Sequence, residues 1–274
     1  MKITKAIEAN IRVHETLLAA GEYEKSPHRS IESKARVMAI LNALDLKIKS
    51  TDAVHLDVGC GDGFIFECAP ERWRKNGVDA AQGMLDKCQL NHPSIGLKRG
   101  IAEKIDHDSN KFDVVTCYSF LDHLEDRAAF YAEVYRVLKP GGIFYFGLSP
   151  NQLFSEVIGL IEQAEGGNLY SHENLKIEKQ KSLDNGAYYT DRYGISNIDL
   201  ELCEPGKTEF GGMKASLEIS TLDKIGFIDL RVRYNWIMAQ NILSDDVVKI
   251  LYGALPVSAS AFKYFDLFGE KSRE

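Results

Sequence analysis

The sequence predicts an α/β fold with a doubly wound, mostly parallel sheet, and three observations support that prediction. Short apolar segments alternate with helical segments from about residue 53 to residue 148. The first apolar segment ends in the glycine-rich turn Gly59-Cys60-Gly61-Asp62-Gly63. The second ends in Asp79, which is 79 − 57 = 22 positions beyond Asp57. This arrangement predicts a ligand site at the carboxyl ends of the strands.

The first fifty residues predict two helices that precede this core. Thr4–Ala20 carries an amphipathic apolar stripe, and Ile31–Leu46 forms the second helix. The polar segment 21–30 between them contains Gly and Pro, which is typical of a loop. We therefore expect residues 1–50 to form a helical cap on a ligand-binding core of residues 51–150.

The remaining pattern predicts seven strands in total. The predicted strands are 53–58, 75–79, 95–100, 112–118, 143–148, 228–236 and 262–268. The predicted helices between them are 62–69, 81–91, 125–138, 217–226 and 245–255. The last two strands would complete the sheet within residues 216–274.

Residues 151–215 interrupt the alternation and predict an insertion after the fifth strand. Leu153–Ala164 can form one helix, but the segment from Glu165 to about Gly212 is polar, glycine-punctuated and only weakly periodic. Long irregular segments in compact enzymes are more often functional or mobile than structural filler. The pattern favours a substrate lid, and a plain surface excursion is the alternative.

The glycine-rich turn favours a nucleoside ligand that carries positive charge. A dinucleotide-binding turn has the spacing G-x-G-x-x-G, whereas this turn has G-x-G-x-G and is bracketed by Asp57 and Asp62. Carboxylates at these positions repel phosphate and attract an ammonium group or a positive sulfur. A P-loop is excluded because no Gly-Lys-Ser/Thr follows. The turn therefore favours S-adenosylmethionine over NAD, ATP or GTP.

Asp79 is the candidate ligand of a ribose. A carboxylate at the end of the second strand, roughly 20 residues after the glycine turn, accepts hydrogen bonds from ribose hydroxyls in such folds. The alternative is that Asp79 only caps the following helix. Its spacing from the turn favours the ribose role.

Five segments, in order, resemble the motifs of the class I S-adenosylmethionine-dependent methyltransferases, especially the small-molecule branch that includes the ubiquinone and menaquinone C-methyltransferases. The segments are 56–63 (LDVGCGDG), 77–79 (GVD) with Met84-Leu85, 100–103 (GIAE), 112–117 (FDVVTC) and 136–142 (RVLKPGG). The resemblance covers about residues 53–148, with a weaker match at 222–227. It implies a Rossmann-like fold and a methyltransferase activity on a small intracellular molecule.

The resemblance also implies which residues bind the cofactor. Those expected at its methionine part are Asp57, Gly59, Cys60, Gly61, Gly63 and the carbonyl group of Cys117, with Tyr118 beside it and Tyr23 closing from the N-terminal loop. Those expected at the ribose and adenine are Asp79, Ala80, Met84, Ala102 and Glu103. The family commonly has an aspartate before the Ala-Glu pair, where this chain has Ile101. We expect the adenine contact to be weaker by on the order of 1 kcal/mol.

His123 is the candidate catalytic base, because imidazole titrates near neutral pH and related methyltransferases often have His at the matching place. Tyr118, Ser119 and Asp122 are nearby alternatives, and a structural hydrogen bond is the other interpretation of His123. His14 lies on the apolar side of its helix and is expected to be a packed histidine.

The composition of the chain limits the classes of binding partner that we expect. The net charge is −7, the pI is about 5.6, and no run of basic residues occurs, so we expect neither nucleic-acid nor membrane binding. Five cysteines without a C-x-x-C pair favour reduced thiols, and no metal site is expected. Without a signal peptide, the expected location is cytoplasmic. A binding module for S-adenosylmethionine or S-adenosylhomocysteine, without chemistry, is the alternative function, and a nicotinamide oxidoreductase conflicts with Asp62 and the turn spacing.

Overall fold

The fold is a single seven-stranded sheet with helices on both faces, in a computed structural model that describes residues 4–156, 185–209, 211–237 and 259–273. The strands are β1 (Val54–Val58), β2 (Arg74–Asp79), β3 (Gly96–Arg99), β4 (Phe112–Tyr118), β5 (Leu138–Pro150), β6 (Phe227–Ile237) and β7 (Phe262–Lys271). Their order across the sheet is β3-β2-β1-β4-β5-β7-β6. The first five pair in parallel, and β7 lies antiparallel between β5 and β6. The predicted doubly wound, mostly parallel sheet is confirmed.

The centre of the sheet is covered on both faces. All five residues of β1 are buried, and most of β4 and β5 is buried as well. Strands buried on both faces are continuous apolar runs rather than alternating ones, which is why these segments were recognisable in the sequence. The strand order reverses between β1 and β4, so their carboxyl ends open a crevice at that point.

Each helix begins where the sequence supplies a cap or a turn. The helices are α1 (Lys5–Ala19), α2 (Ile31–Asp45), α3 (Phe64–Cys68), α4 (Gln82–Asn91), α5 (Arg127–Val137), α6 (Asn185–Tyr193), α7 (Asn197–Cys203), α8 (Pro205–Thr208) and α9 (Ala215–Ile225). Thr4, Ser30, Asp126 and Ser196 cap α1, α2, α5 and α7 by accepting a backbone N–H with their side chains. Helix α9 ends on Gly226, whose φ of +112° is left-handed.

The described part of the insertion is helical, which differs from the predicted irregular segment. Ile195 and Cys203 are buried with Ala9, Val13 and Leu17 of α1 in one apolar cluster. The periodicity in the sequence is weak because α6 to α8 are short, and the buried residues described in α7 and α8 are Cys203 and Gly206. Packing against α1, rather than local propensity, therefore stabilises them.

The remaining differences concern element length. Strand β5 begins at Leu138 rather than at residue 143, because Leu138 already pairs with Phe112 across a register shift. Strand β7 extends to Lys271 rather than to residue 268, since it pairs along β6 to Phe227. The predicted helix 245–255 and most of the predicted helix 153–164 lie outside the described residues.

Candidate active site

A cavity of about 1140 Å³ lies at the carboxyl ends of the strands, where the order of the sheet reverses. Twelve of the fourteen predicted site residues line it: Tyr23, Asp57, Gly59, Cys60, Gly61, Asp79, Ala80, Met84, Ala102, Glu103, Tyr118 and His123. Gly63 and Cys117 do not line it among the described residues. Residues of α1, α7 and α8 line the opposite wall, so the cavity lies between the core and its helical additions.

The glycine turn forms the floor of the cavity. Gly59 has φ +68°, and a side chain there would overlap the ring of Phe120. Gly61 has φ +52° and lines the cavity, with nothing within 4 Å of the position of a Cβ. A side chain at Gly61 would therefore project into open space beside the turn, and its absence leaves room for a ligand to approach the backbone.

Asp79 at the end of β2 closes onto the turn. Its Oδ2 accepts a hydrogen bond from the Gly61 N–H at 2.9 Å, and its Oδ1 accepts one from the Ala81 N–H at 2.9 Å. Burial raises the pKa of this carboxyl group, and these backbone donors oppose that rise. Each oxygen keeps acceptor capacity, so Asp79 can hold the turn and accept from a ligand. The N-cap of α4 is Ala81, without a side-chain cap, so Asp79 binds the N–H group of the residue before the helix rather than capping it. The ribose role of Asp79 stays a prediction.

Asp57 at the end of β1 is almost fully buried, with 2% of its surface exposed. Thr116 on β4 donates a hydrogen bond to it, with 2.5 Å between Thr116 Oγ1 and Asp57 Oδ1. Burial raises the pKa of Asp57 to about 8, against the effect of the Thr116 hydroxyl. Neither Asp57 nor Asp79 forms an ion pair with a basic residue in the described part of the chain, so a cationic ligand would stabilise both carboxylates.

Asp62 differs from the sequence-based expectation. Both of its carboxylate oxygens accept hydrogen bonds from the guanidinium of Arg29, one of them at 2.6 Å. Its charge is thus compensated within the protein, and the prediction that it attracts a positive ligand is wrong. Arg29 also lies 5.3 Å from the ring centre of Tyr23 and 5.5 Å from that of Phe64, so it ties the N-terminal loop to the glycine turn.

Tyr23 is held over the cavity by a histidine that the sequence interpretation assigned to the core. Its hydroxyl group shares a hydrogen bond with Nδ1 of His14. His14 lines the cavity, and burial lowers its pKa to about 3, so its ring is neutral. The apolar neighbours of His14 in the sequence concealed this position, and only its pairing with Tyr23 reveals it.

His123 lies in the turn after β4, 4.9 Å from the ring centre of His14. Its Nδ1 is 2.8 Å from the carbonyl oxygen of Cys203 and 2.9 Å from Asn10 Nδ2. The Cys203 carbonyl can only accept, so this contact favours the tautomer with the hydrogen on Nδ1 and a lone pair on Nε2. Asn10 Nδ2 can donate to the same carbonyl oxygen, which lies 3.4 Å away. The insertion therefore favours the tautomer in which His123 can accept a proton at Nε2.

A charged cluster surrounds His123. The donor atoms of Asp122, His123 and Glu204 lie within 4.8 Å of one another, a spacing that could hold a metal ion. However, Lys207 Nζ is 3.0 Å from Glu204 Oε2 and already supplies positive charge. Although burial raises the pKa of Glu204, Lys207 and His123 lower it to about 2 overall. Glu204 is therefore ionised, and the expectation of no metal stays a prediction.

The part of the cavity predicted to bind adenine has few polar side chains. Ile101, Ala102 and Glu103 line the cavity beside Met84. Burial raises the pKa of the Glu103 carboxyl group. Ile101 has no hydrogen-bonding side chain, so this part of the wall offers a ligand the Glu103 carboxyl group, backbone groups and apolar contacts.

Comparison with known proteins agrees with this geometry. The fold matches an S-adenosylmethionine-dependent methyltransferase of Thermotoga maritima with a TM-score of 0.59 at 15% identity, over 96% of this chain and 99% of that one. Residues 56–146, which span β1 to β5, match the methyltransferase domain family. The region from β1 to β5 is thus a methyltransferase domain, and the whole chain has the fold of the class I S-adenosylmethionine-dependent methyltransferases. Its methyltransferase domain thus contains the glycine turn, Asp57, Asp79 and His123.

Curated relatives match part of the chain. The ubiquinone biosynthesis O-methyltransferase of Pseudomonas entomophila is 30% identical over 43% of this chain and 55% of its own length. That of Hahella chejuensis is 29% identical over 54% of this chain and 63% of its own length. The methyltransferase chain therefore spans less than two thirds of the length of either relative.

The cofactor of the family is S-adenosylmethionine, and the residues present fit it. Two buried carboxylates without a cationic partner suit its positive charge, and Gly61 leaves space where it would approach the turn. Among the described helices of this methyltransferase, none is long and apolar enough to cross a membrane.

Proposed function

We propose that this protein transfers a methyl group from S-adenosylmethionine to a hydroxyl group of a small molecule. The observation that carries the proposal is the size and composition of the cavity. At about 1140 Å³ it exceeds the roughly 300–1,000 Å³ of single-ligand sites, and it extends from the cofactor motifs to His123. Two ligands can therefore lie side by side in it.

The cofactor-binding residues of the proposed enzyme are those of the predicted set that line the cavity. Asp57, Gly59, Cys60 and Gly61 would bind the methionine part, with Tyr23 above and Tyr118 beside it. Asp79 and Ala80 would bind the ribose, and Met84, Ala102 and Glu103 the adenine. Bound S-adenosylmethionine supplies an activated methyl group on a positively charged sulfur.

The chain's own residues contribute alignment and one proton acceptor. His123, with its hydrogen on Nδ1, would accept the proton of the acceptor hydroxyl at Nε2. His14 and Tyr23 would border the transfer site and limit its access to water. Two observations favour an oxygen acceptor. A hydroxyl group must lose its proton during methylation, and His123 can accept it. The matched relatives are also named O-methyltransferases.

The insertion is proposed to be a lid over the acceptor. The described residues of α7 and α8 that line the cavity include Leu200, Cys203, Glu204 and Lys207. The carbonyl group of Cys203 also binds His123, so the lid contributes to the base. We extend the proposal to residues 151–215 as one functional unit on the core of residues 51–150.

Label transfer tests the function. Protein and methyl-labelled S-adenosylmethionine are incubated with fractions of a small-molecule cell extract, and label in an extract-derived product is measured. We expect wild type to transfer label and His123→Asn to lose about 10²–10⁴-fold of the rate while binding S-adenosylhomocysteine as tightly as wild type. His92→Asn, outside the cavity lining, is the matched control.

The same experiment distinguishes the proposed methyltransferase from the alternative function, a cofactor-binding module without chemistry. If wild type binds the cofactor and no fraction is labelled above the level of His123→Asn, the protein is a binding module and the proposal is wrong.

A further inference from the structure

A buried hydrogen-bonded chain leads from the core of the sheet to the cavity. His55 Nε2 on β1 is 2.7 Å from Thr116 Oγ1 on β4, which is 2.5 Å from Asp57 Oδ1. His55 and Thr116 have no exposed surface, and neither lines the cavity. Both can therefore affect a ligand only through Asp57.

When Asp57 is ionised, the hydrogen atoms of this series of hydrogen bonds have one consistent order. An ionised Asp57 can only accept, so Thr116 must donate its single hydroxyl hydrogen to it. Thr116 Oγ1 then accepts from His55 Nε2–H, which leaves Nδ1 of His55 unprotonated. Burial lowers the pKa of His55 to about 3, so the ring is a neutral donor.

The surroundings of His55 disfavour the opposite arrangement of hydrogen atoms, in which Asp57 is protonated. If Asp57 were protonated and donated to Thr116, Thr116 would donate to His55 Nε2, and Nδ1 would carry the hydrogen. That atom is buried and has no hydrogen-bond partner among the described residues, and the ring packs against Phe66 and Trp73. A buried N–H without an acceptor is costly. The apolar side of His55 thus favours the order that ends in a carboxylate.

We propose that His55 and Thr116 are positioning residues that favour the ionised form of Asp57 and orient its carboxylate toward the ammonium group of the cofactor. This inference rests on the proposed function, since it assumes that the cavity binds S-adenosylmethionine. It assigns a role in cofactor recognition to a buried histidine that the methyl-transfer chemistry leaves unused.

The titratable groups around His55, Thr116 and Asp57 define the pH range in which the charge of Asp57 can affect cofactor binding. They are Asp79 on β2, Cys60 in the turn, Cys68 on α3 and Cys117 on β4 around Asp57, and Lys75 on β2 near His55. Burial raises the pKa of Cys68 to about 12 and that of Cys117 further, and contact with Cys88 and burial do the same for Cys60. The thiols are therefore neutral between pH 6 and 9, where Asp57 titrates near pH 8.

Titration calorimetry of S-adenosylhomocysteine between pH 6 and 9.5 tests the inference. Because the ammonium group favours ionised Asp57, wild-type affinity is expected to rise with pH to a plateau. Thr116→Val removes the donor at nearly constant volume and is expected to move the midpoint up by about one pH unit, roughly tenfold weaker binding at pH 7. Thr116→Ser, which keeps the hydroxyl, is expected to restore the wild-type profile.

A second pair keeps the test informative if the valine variant does not fold. His55→Phe removes the Nε2–H donor and is expected to move the midpoint up by less than Thr116→Val. His55→Gln retains an N–H donor and is expected to stay close to wild type. Val115→Ala, at the neighbouring buried position, is the matched control and should lower stability without moving the midpoint.

An unchanged midpoint in both Thr116→Val and His55→Phe would overturn the inference and leave the pair a purely structural one. A wild type that binds no S-adenosylhomocysteine at any pH would instead refute the proposed function, and with it the inference. The two failures are therefore distinguishable.

Discussion

At the scale of single residues, the two buried carboxylates of the cavity differ in what else they hold. Asp79 accepts hydrogen bonds from the backbone of the glycine turn and of Ala81, the residue before α4, whereas Asp57 accepts one from the hydroxyl group of Thr116. Substitutions of the two should therefore have different consequences for stability and for cofactor binding.

Replacement of Asp79 by Asn is expected to weaken S-adenosylhomocysteine binding by on the order of 2–3 kcal/mol, because hydrogen bonds to a charged acceptor are lost. Asp79→Ala should also lower the free energy of unfolding, since two backbone N–H groups lose their acceptor. Calorimetry and urea unfolding measure the two effects. Equal affinity of Asp79→Asn and wild type would remove Asp79 from the site.

Asp57 should make the ligand-free protein less stable as pH rises. Its folded pKa of about 8 lies above the model-compound value of 3.8, so the folded state binds the proton more tightly than the unfolded state. Its stabilising contribution is therefore full below about pH 4 and is lost as pH rises to 8. Urea unfolding at pH 5.5 and 8.5 should show a smaller difference in Asp57→Asn than in wild type. The same difference in both proteins would contradict the assignment.

At the scale of elements, the strands were predictable and the contacts between additions were not. The apolar runs of β1 and β4 specify buried strands locally, so their bounds agree with the sequence within one residue. The short helices of the insertion depend on packing against α1, and a single sequence does not show that partner. For the same reason the Arg29–Asp62 ion pair and the place of His14 were not predicted.

The helices α6 to α8 are expected to gain hydrogen-exchange protection when ligand binds. They line the cavity or contact the N-terminal loop, where Tyr193 donates a hydrogen bond to Glu22. Exchange is measured without ligand, with S-adenosylhomocysteine, and with a candidate acceptor in addition. Protection of α5, which packs in the main core and contributes no residue to the cavity lining, serves as the internal control. Equal protection of α6 to α8 in all states would make the insertion a fixed structural excursion.

At the scale of the whole molecule, the glycine turn and the strand ends form one wall of the cavity, and α1, α7 and α8 form a second wall. The first could be predicted from sequence because its motifs are local and ordered along the chain. The second is assembled from α1, α7 and α8, far apart in sequence, so its lining was only partly foreseen. In the proposed function, the methyl acceptor binds against this second wall.

Thermal unfolding with ligands tests the central claim most directly, because that claim is that the cavity binds S-adenosylmethionine rather than a dinucleotide. At 100 times its dissociation constant, a ligand stabilises the folded state by about 2.7 kcal/mol. We expect S-adenosylhomocysteine to raise the melting temperature of the wild type by several degrees, and NADH at the same concentration to leave it unchanged. Stabilisation by NADH with no response to S-adenosylhomocysteine would contradict the account.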